Sequence, residues 1–82
     1  MKFSIKVTLK KDVLDPQGKA IENSLKQLGF PQIKKVKQGK IIEIEIDADN
    51  ESDAREIITN ASNKLLANLV IEDYEITFLK ED

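Results

Sequence analysis

At 82 residues, with a formal net charge of −2 and neither cysteine nor histidine, the chain has room for one domain, 1–82, which buries only about 60% of its unfolded surface. Disulfides, thiolate nucleophiles, cysteine zinc sites and the commonest general base are excluded. No apolar run approaches the roughly 20 residues of a membrane helix, so the composition reads as a cytoplasmic protein without a membrane role, and a short chain without staples favours a homo-oligomer.

Charge is split along the chain. Residues 1–40 hold ten lysines against three acids, and residues 41–82 hold three bases against twelve acids. The simplest account is that the two halves interleave in one sheet and neutralise each other across strands; a docking surface is the sharper alternative.

The first element alternates Phe3, Ile5, Val7 and Leu9 with Lys2, Ser4, Lys6, Thr8 and Lys10, the period-2 pattern of a half-buried strand. Asp15 and Pro16 form a helix start, with a capping carboxylate followed by a residue suited to the first helical position. The helix is expected to run to about Leu28, with Ile21, Leu25 and Leu28 as its apolar stripe and Gly29 as its terminator. Ile33 to Gln38 is expected to form a short, bulged edge strand; the basic cluster Lys34, Lys35, Lys37 and Lys40 either guards that edge against aggregation or meets an acidic partner or a phosphorylated ligand. A turn through Gln38, Gly39 and Lys40 leads into Ile42, Ile44 and Ile46, which alternate with Glu43, Glu45 and Asp47 in the clearest strand.

A second helix is expected over Glu51–Ala67, capped by Asp49, Asn50 or Ser52, with Ala54, Ile57, Ile58, Ala61 and Leu65 facing inward. Asn68 would end it in a left-handed conformation. The last strand starts near Val70, with Tyr74, Ile76 and Phe78 inside. The order β-α-β-β-α-β gives an α+β, ferredoxin-like two-layer sandwich, two helices on one face of a four-stranded antiparallel sheet. Its open face is left for solvent or a second subunit.

The search for chemistry is short. Ser4, Ser24, Ser52 and Ser62 have no imidazole to activate them, and Gly18, Gly29 and Gly39 match neither a dinucleotide fingerprint nor a P-loop. Asp47, Asp49, Glu51 and Asp53 resemble a calcium loop, but Ser52 stands where the turn needs glycine and Ile58 where a bidentate Glu is required. Glu43 and Glu45 lie on a solvated face with nothing to raise a pKa. Aromatic stacking platforms for nucleic acid are missing, since the open face would present Lys6, Glu43 and Glu45.

Two stretches, VLDPQGKAIE from Val13 to Glu22 and KLLANLVIEDY from Lys64 to Tyr74, together resemble the PurS family, the small subunit of phosphoribosylformylglycinamidine synthase. An opening strand ending in Thr8, Leu9 and Lys10 and the pair Gly39 and Lys40 extend the likeness over nearly the whole chain. The resemblance implies a role in step four of de novo purine biosynthesis, where formylglycinamide ribonucleotide, glutamine and ATP yield formylglycinamidine ribonucleotide, glutamate, ADP and phosphate. It implies no catalytic residue, cofactor or metal in this chain. ATP and glutamine are used by the partners, a large synthetase subunit and a glutaminase subunit, which PurS-like homodimers bridge to support ammonia transfer.

A cap needs only Asp15 and Pro16, so Gln17, Gly18 and Lys19 are left as contact candidates, and Glu72 and Asp73 are more acidic than a helix-to-strand junction requires. The candidate partner interface is therefore Asp15, Gln17, Gly18, Lys19, Lys37, Lys40, Asn68, Glu72, Asp73 and Tyr74. Lys37 stands where relatives commonly have Arg, and Ser62 where Cys is frequent. The alternative from the same order of elements is a regulatory ligand-binding domain of the amino-acid-sensing type. An acylphosphatase-like hydrolase would need an arginine in a loop, and Arg55, the only arginine, falls inside the second helix.

Overall fold

A computed structural model describes residues 1–79; the last three residues of the expected domain lie outside the described residues. The first strand, β1 (Lys2–Leu9), is central. It pairs antiparallel with β2 (Gly39–Glu45) on one side and β3 (Glu72–Leu79) on the other. Helix α1 (Pro16–Gln27) joins β1 to β2, and α2 (Glu51–Ala61) joins β2 to β3.

The architecture is α+β with two helices and a small antiparallel sheet, but the sheet has three strands rather than four. Residues 33–38 form no strand because two of their donors tie the segment to α1 and not to a sheet neighbour. The Val36 N–H donates to the Glu22 carboxylate at 3.1 Å and the Gln38 N–H to the Asp15 carboxylate at 3.0 Å, both on or at the start of α1. A segment whose N–H groups answer to side chains has no ladder to offer a neighbouring strand.

Alternation along β1 sorts the sheet into two unlike faces. Phe3, Ile5 and Val7 are fully buried, opposite Ile44 and Ile42 on β2 and Phe78, Ile76 and Tyr74 on β3. The rings of Phe3 and Phe78 meet edge-on at 5.2 Å between centroids, a favoured aromatic geometry. Ala54 and Ile58 of α2 and Ala67 complete the core. Arg55 snorkels, with its guanidinium 5.6 Å from the Phe3 ring centroid and its Nε donating to Glu51 at 2.8 Å. The opposite face is polar: Lys2 stands opposite Glu45, Ser4 opposite Glu43 and Thr77, and Lys6 opposite Glu75. The charge split of the sequence interleaves here as expected, and charges and hydroxyls dominate a face on which Ile41, 59% exposed, and Leu79 are the apolar exceptions.

The second helix begins where the sequence places it. Asn50 caps it by accepting the Asp53 N–H at 2.8 Å, and Glu51 and Asp53 sit in its positive first turn. Its last stretch, Ser62–Leu66, widens into a π-helical turn that the Ala67 N–H closes on the Ser62 carbonyl at 3.0 Å. The widened turn leaves Leu65 pointing out at 84% exposure, and Ile57 is exposed as well, so neither joins the stripe expected of it. Ser62 is fully buried and its hydroxyl has no hydrogen-bond partner among the described residues.

Asn68 is not left-handed: among the described residues none but glycine has a positive φ. It closes the turn instead, its side chain accepting the Val70 N–H at 3.2 Å and its carbonyl accepting the Ile71 and Glu72 N–H groups. The last strand therefore starts at Glu72, two residues later than the sequence suggests.

Gly29 ends α1 with φ +98. The Gly29 N–H donates to Lys26 and the Phe30 N–H to Leu25, the paired bonds of a Schellman motif. Unlike α2, helix α1 contributes nothing to the apolar core. The chain is consequently flat and long, 51 × 32 × 14 Å with a radius of gyration of 16.3 Å, against about 12 Å for a compact domain of this length.

Ile58→Ala, which empties a site only 1% exposed, is expected to cost roughly 2–5 kcal/mol in urea unfolding. Leu65→Ala on the widened turn should stay within about 0.5 kcal/mol. Ser62→Ala should leave stability unchanged or raise it by about 1 kcal/mol, since the lost hydroxyl is an orphan. A loss comparable to that of Ile58→Ala at Ser62 would contradict the packing described.

Candidate docking surface

Helix α1 and the segment 33–38 are joined by carboxylates. Asp15, the N-cap, accepts the Gly18 N–H on one oxygen at 2.9 Å and the Gln38 N–H on the other at 3.0 Å. Glu22, buried two turns further on, accepts the Val36 N–H and lies 3.7 Å from the Lys19 ammonium. The Asp15 carboxyl is held below its ordinary pKa, chiefly by the Gln38 hydrogen bond and then by Gly18, which outweigh the opposing desolvation, with lesser help from the Gln17 N–H and the Lys37 charge.

Gly18 is the residue that lets the two pieces meet. A Cβ there would collide with the Val36 carbonyl oxygen and come within 2.8 Å of the Asp15 carboxylate. The packing reason for Gly18, invisible in the sequence, is this close approach. The inward side of α1 is thus Gly18, Glu22 and the half-buried Leu25, rotated from the expected Ile21, Leu25 and Leu28. Leu28 is 72% exposed, and Leu14, Ile21, Phe30 and Ile33 are also exposed.

The inner face of the sheet ends beside this unit. Lys40 stands opposite Val7 on β2, and Glu72 stands opposite Leu9 on β3. With Asp15, Gln17 and Gln38 they surround a cleft of about 260 Å³ floored by Val7 and Leu9. Four of the interface candidates, Asp15, Gln17, Lys40 and Glu72, are brought together there from three parts of the chain. Lys19 and Lys37, again with Asp15, line a second cleft.

The remaining candidates sit apart. Asn68 reaches the first cleft only through Glu72, whose carboxylate accepts the Asn68 N–H at 2.7 Å. Asp73 belongs to the opposite face, 3.5 Å from Lys10, and Tyr74 packs against the core with its hydroxyl donating to Asn63 at 2.7 Å. Glu72 and Asp73 therefore each have a structural partner that the sequence did not disclose. Sequence reasoning also missed Glu22 and Gln38. The one available signal was an acid four residues after Gly18 and three before Leu25, on a face otherwise suited to burial.

Chemically the first cleft offers one ammonium, two carboxylates and two amide side chains, without a nucleophile or imidazole. No group of three or more metal-ligating side chains gathers among the described residues, and none of their helices is long and apolar enough to cross a membrane. The arrangement can bind and orient a partner.

The family described as PurS: Phosphoribosylformylglycinamidine (FGAM) synthase matches residues 2–80. The phosphoribosylformylglycinamidine synthase subunit PurS of Methanocaldococcus jannaschii is 43% identical over 75 residues, covering 92% of this chain and 90% of that protein. The crystal structure of the M. jannaschii PurS, one of the subunits of formylglycinamide ribonucleotide amidotransferase, superposes with a TM-score of 0.88 at 42% identity over 99% of this chain and 98% of its own. A chain of the PurLQS structure from Thermotoga maritima also reaches a TM-score of 0.88, at 40% identity and 95% coverage of each.

The Asp15 bonds carry a pH signature. A carboxyl with a lowered folded pKa stabilises the fold fully above its unfolded value of about 3.9, and that contribution disappears as pH falls through the folded value. Asp15→Asn should therefore be less stable than the parent chain in urea at neutral pH, and the gap should close as acidification carries the solution through the folded value. A gap of constant size from neutral to acid pH would show that the charge on Asp15 is not what holds Gln38 and Gly18.

Proposed function

The chain belongs to the PurS family, and on that premise we propose that it is the small, non-catalytic subunit of phosphoribosylformylglycinamidine synthase, a glutamine-dependent, ATP-consuming C–N ligase of purine biosynthesis. It bridges the synthetase and glutaminase subunits in the cytoplasm and supports the transfer of ammonia between them. The observation that carries this reading is the likeness of nearly the whole chain to a chain of the solved PurLQS assembly. Its lack of histidine and cysteine fits a subunit that acts by contact.

The cleft of Asp15, Gln17, Lys40 and Glu72 is the contact surface in this reading. Three of the four come from the stretches that carry the family resemblance and the fourth, Lys40, from its Gly-Lys pair. The chain also self-associates. Its elongated shape and the exposed Leu14, Ile21, Leu28 and Phe30 around α1 favour that side for a second copy over the charged open face of the sheet.

Reconstitution tests the proposal. Glutamine-dependent formation of formylglycinamidine ribonucleotide by the cognate synthetase and glutaminase should require this chain, and undiminished turnover without it would refute the assembly role. Replacing two contact side chains, Gln17→Ala with Lys40→Ala, should weaken association roughly fivefold or more, about 1 kcal/mol. Circular dichroism should report the chain still folded. Tight calorimetric binding of a free amino acid to the isolated chain would point to a sensor domain instead.

A further inference from the structure

Beside the cleft just described lies a second one, of about 220 Å³, between the turn after β1, the start of α1 and the segment 34–37. Six lysines line it: Lys10, Lys11, Lys19, Lys34, Lys35 and Lys37. For Lys34, Lys35 and Lys37 the sequence left edge protection beside an acidic or phosphorylated partner, but their segment is not a strand and guards no edge.

Little inside the chain neutralises them. Lys10 is paired with Asp73 and Lys19 with Glu22. Lys11, Lys34 and Lys35 make no ion pair among the described residues, and Lys37 only favours the charged form of Asp15 from a distance. The two carboxylates in the lining, Asp15 and Glu22, already accept the backbone N–H groups of Gly18, Gln38 and Val36. A concentrated positive field therefore persists in a chain whose net charge is −2, and gathering like charges costs stability unless a partner answers them.

We propose that this lysine cleft docks an acidic protein face of another subunit of the same complex. The inference rests on the family reading above. A small phosphate compound fits less well, because the Gly18, Val36 and Gln38 N–H groups already serve carboxylates and the only arginine, Arg55, lies on α2. Lysines are mobile point charges without the fixed fork that grips a phosphate, and they suit a spread of carboxylates. A second copy of this chain fits less well too. Of its acids, Glu45 stands opposite Lys2 and Glu75 opposite Lys6 across the sheet, while Glu51 and Asp53 serve α2. The cleft shares Asp15 with the proposed contact surface, so one partner face can span both.

The test compares the full-length parent, the triple variant Lys34→Gln/Lys35→Gln/Lys37→Gln, and a charge-matched control, Lys6→Gln/Lys26→Gln/Lys64→Gln. Association with the cognate synthetase and glutaminase subunits is followed kinetically at ~0.02 and ~0.5 M salt. The parent should associate faster at low salt, the triple variant roughly tenfold more slowly with little salt dependence, and the control within about twofold of the parent. Equal rates for parent and triple variant would overturn the proposal, and so would an equal loss in the control. Pyrophosphate binding that the triple variant abolishes would reassign the cleft to a small anion, and a changed sedimentation coefficient of the triple variant alone would reassign it to self-contact. No association by the parent at all would bring down the family reading itself along with the proposal.

Discussion

Helix α1 is held by two carboxylates and not by an apolar stripe. Asp15 and Glu22 take the backbone N–H groups of Gln38 and Val36, and both possible docking clefts are built on that linkage. The same bonds tie residues 33–38 to α1 and not to a sheet neighbour, so sheet size and surface chemistry follow from one constraint. Gly18 permits it, since any side chain at that position would separate the helix from the Val36 carbonyl.

The rest of the fold divides the labour. A central strand with buried Phe3, Ile5 and Val7, covered by Ala54 and Ile58 of α2, supplies the stability of an otherwise thin molecule. Its outer face matches lysines against acids and so remains compatible with water. Around α1 the balance is reversed: leucines, an isoleucine and a phenylalanine are exposed, and the lysines nearby are largely unanswered. A chain with its chemistry distributed this way is incomplete alone, which agrees with membership of a family of complex subunits.

Much of this was legible in the residues. The alternation of Phe3 to Leu9 and of Ile42 to Ile46 is strong enough to place β1 and β2, and Asp15, Gly29 and Asn50 mark helix ends by chemistry that works locally. What escaped depends on distant partners. Ile33 and Val36 look like a poor strand, and nothing local says that Glu22, fourteen residues away, will take the Val36 N–H. The two stretches carrying the family likeness pointed to Asp15, Gln17 and Glu72, yet placed Asp73 and Tyr74 beside them, which the pleat sends to opposite faces of β3.

The central claim is that the chain works through the surface made by α1 and residues 34–40. Amide hydrogen exchange on this chain, alone and bound to its synthetase and glutaminase partners, tests it most directly. The account predicts new protection in residues 15–19 and 34–40 on binding. Protection confined to the open face of the sheet, with those segments exchanging as in the free chain, would contradict it.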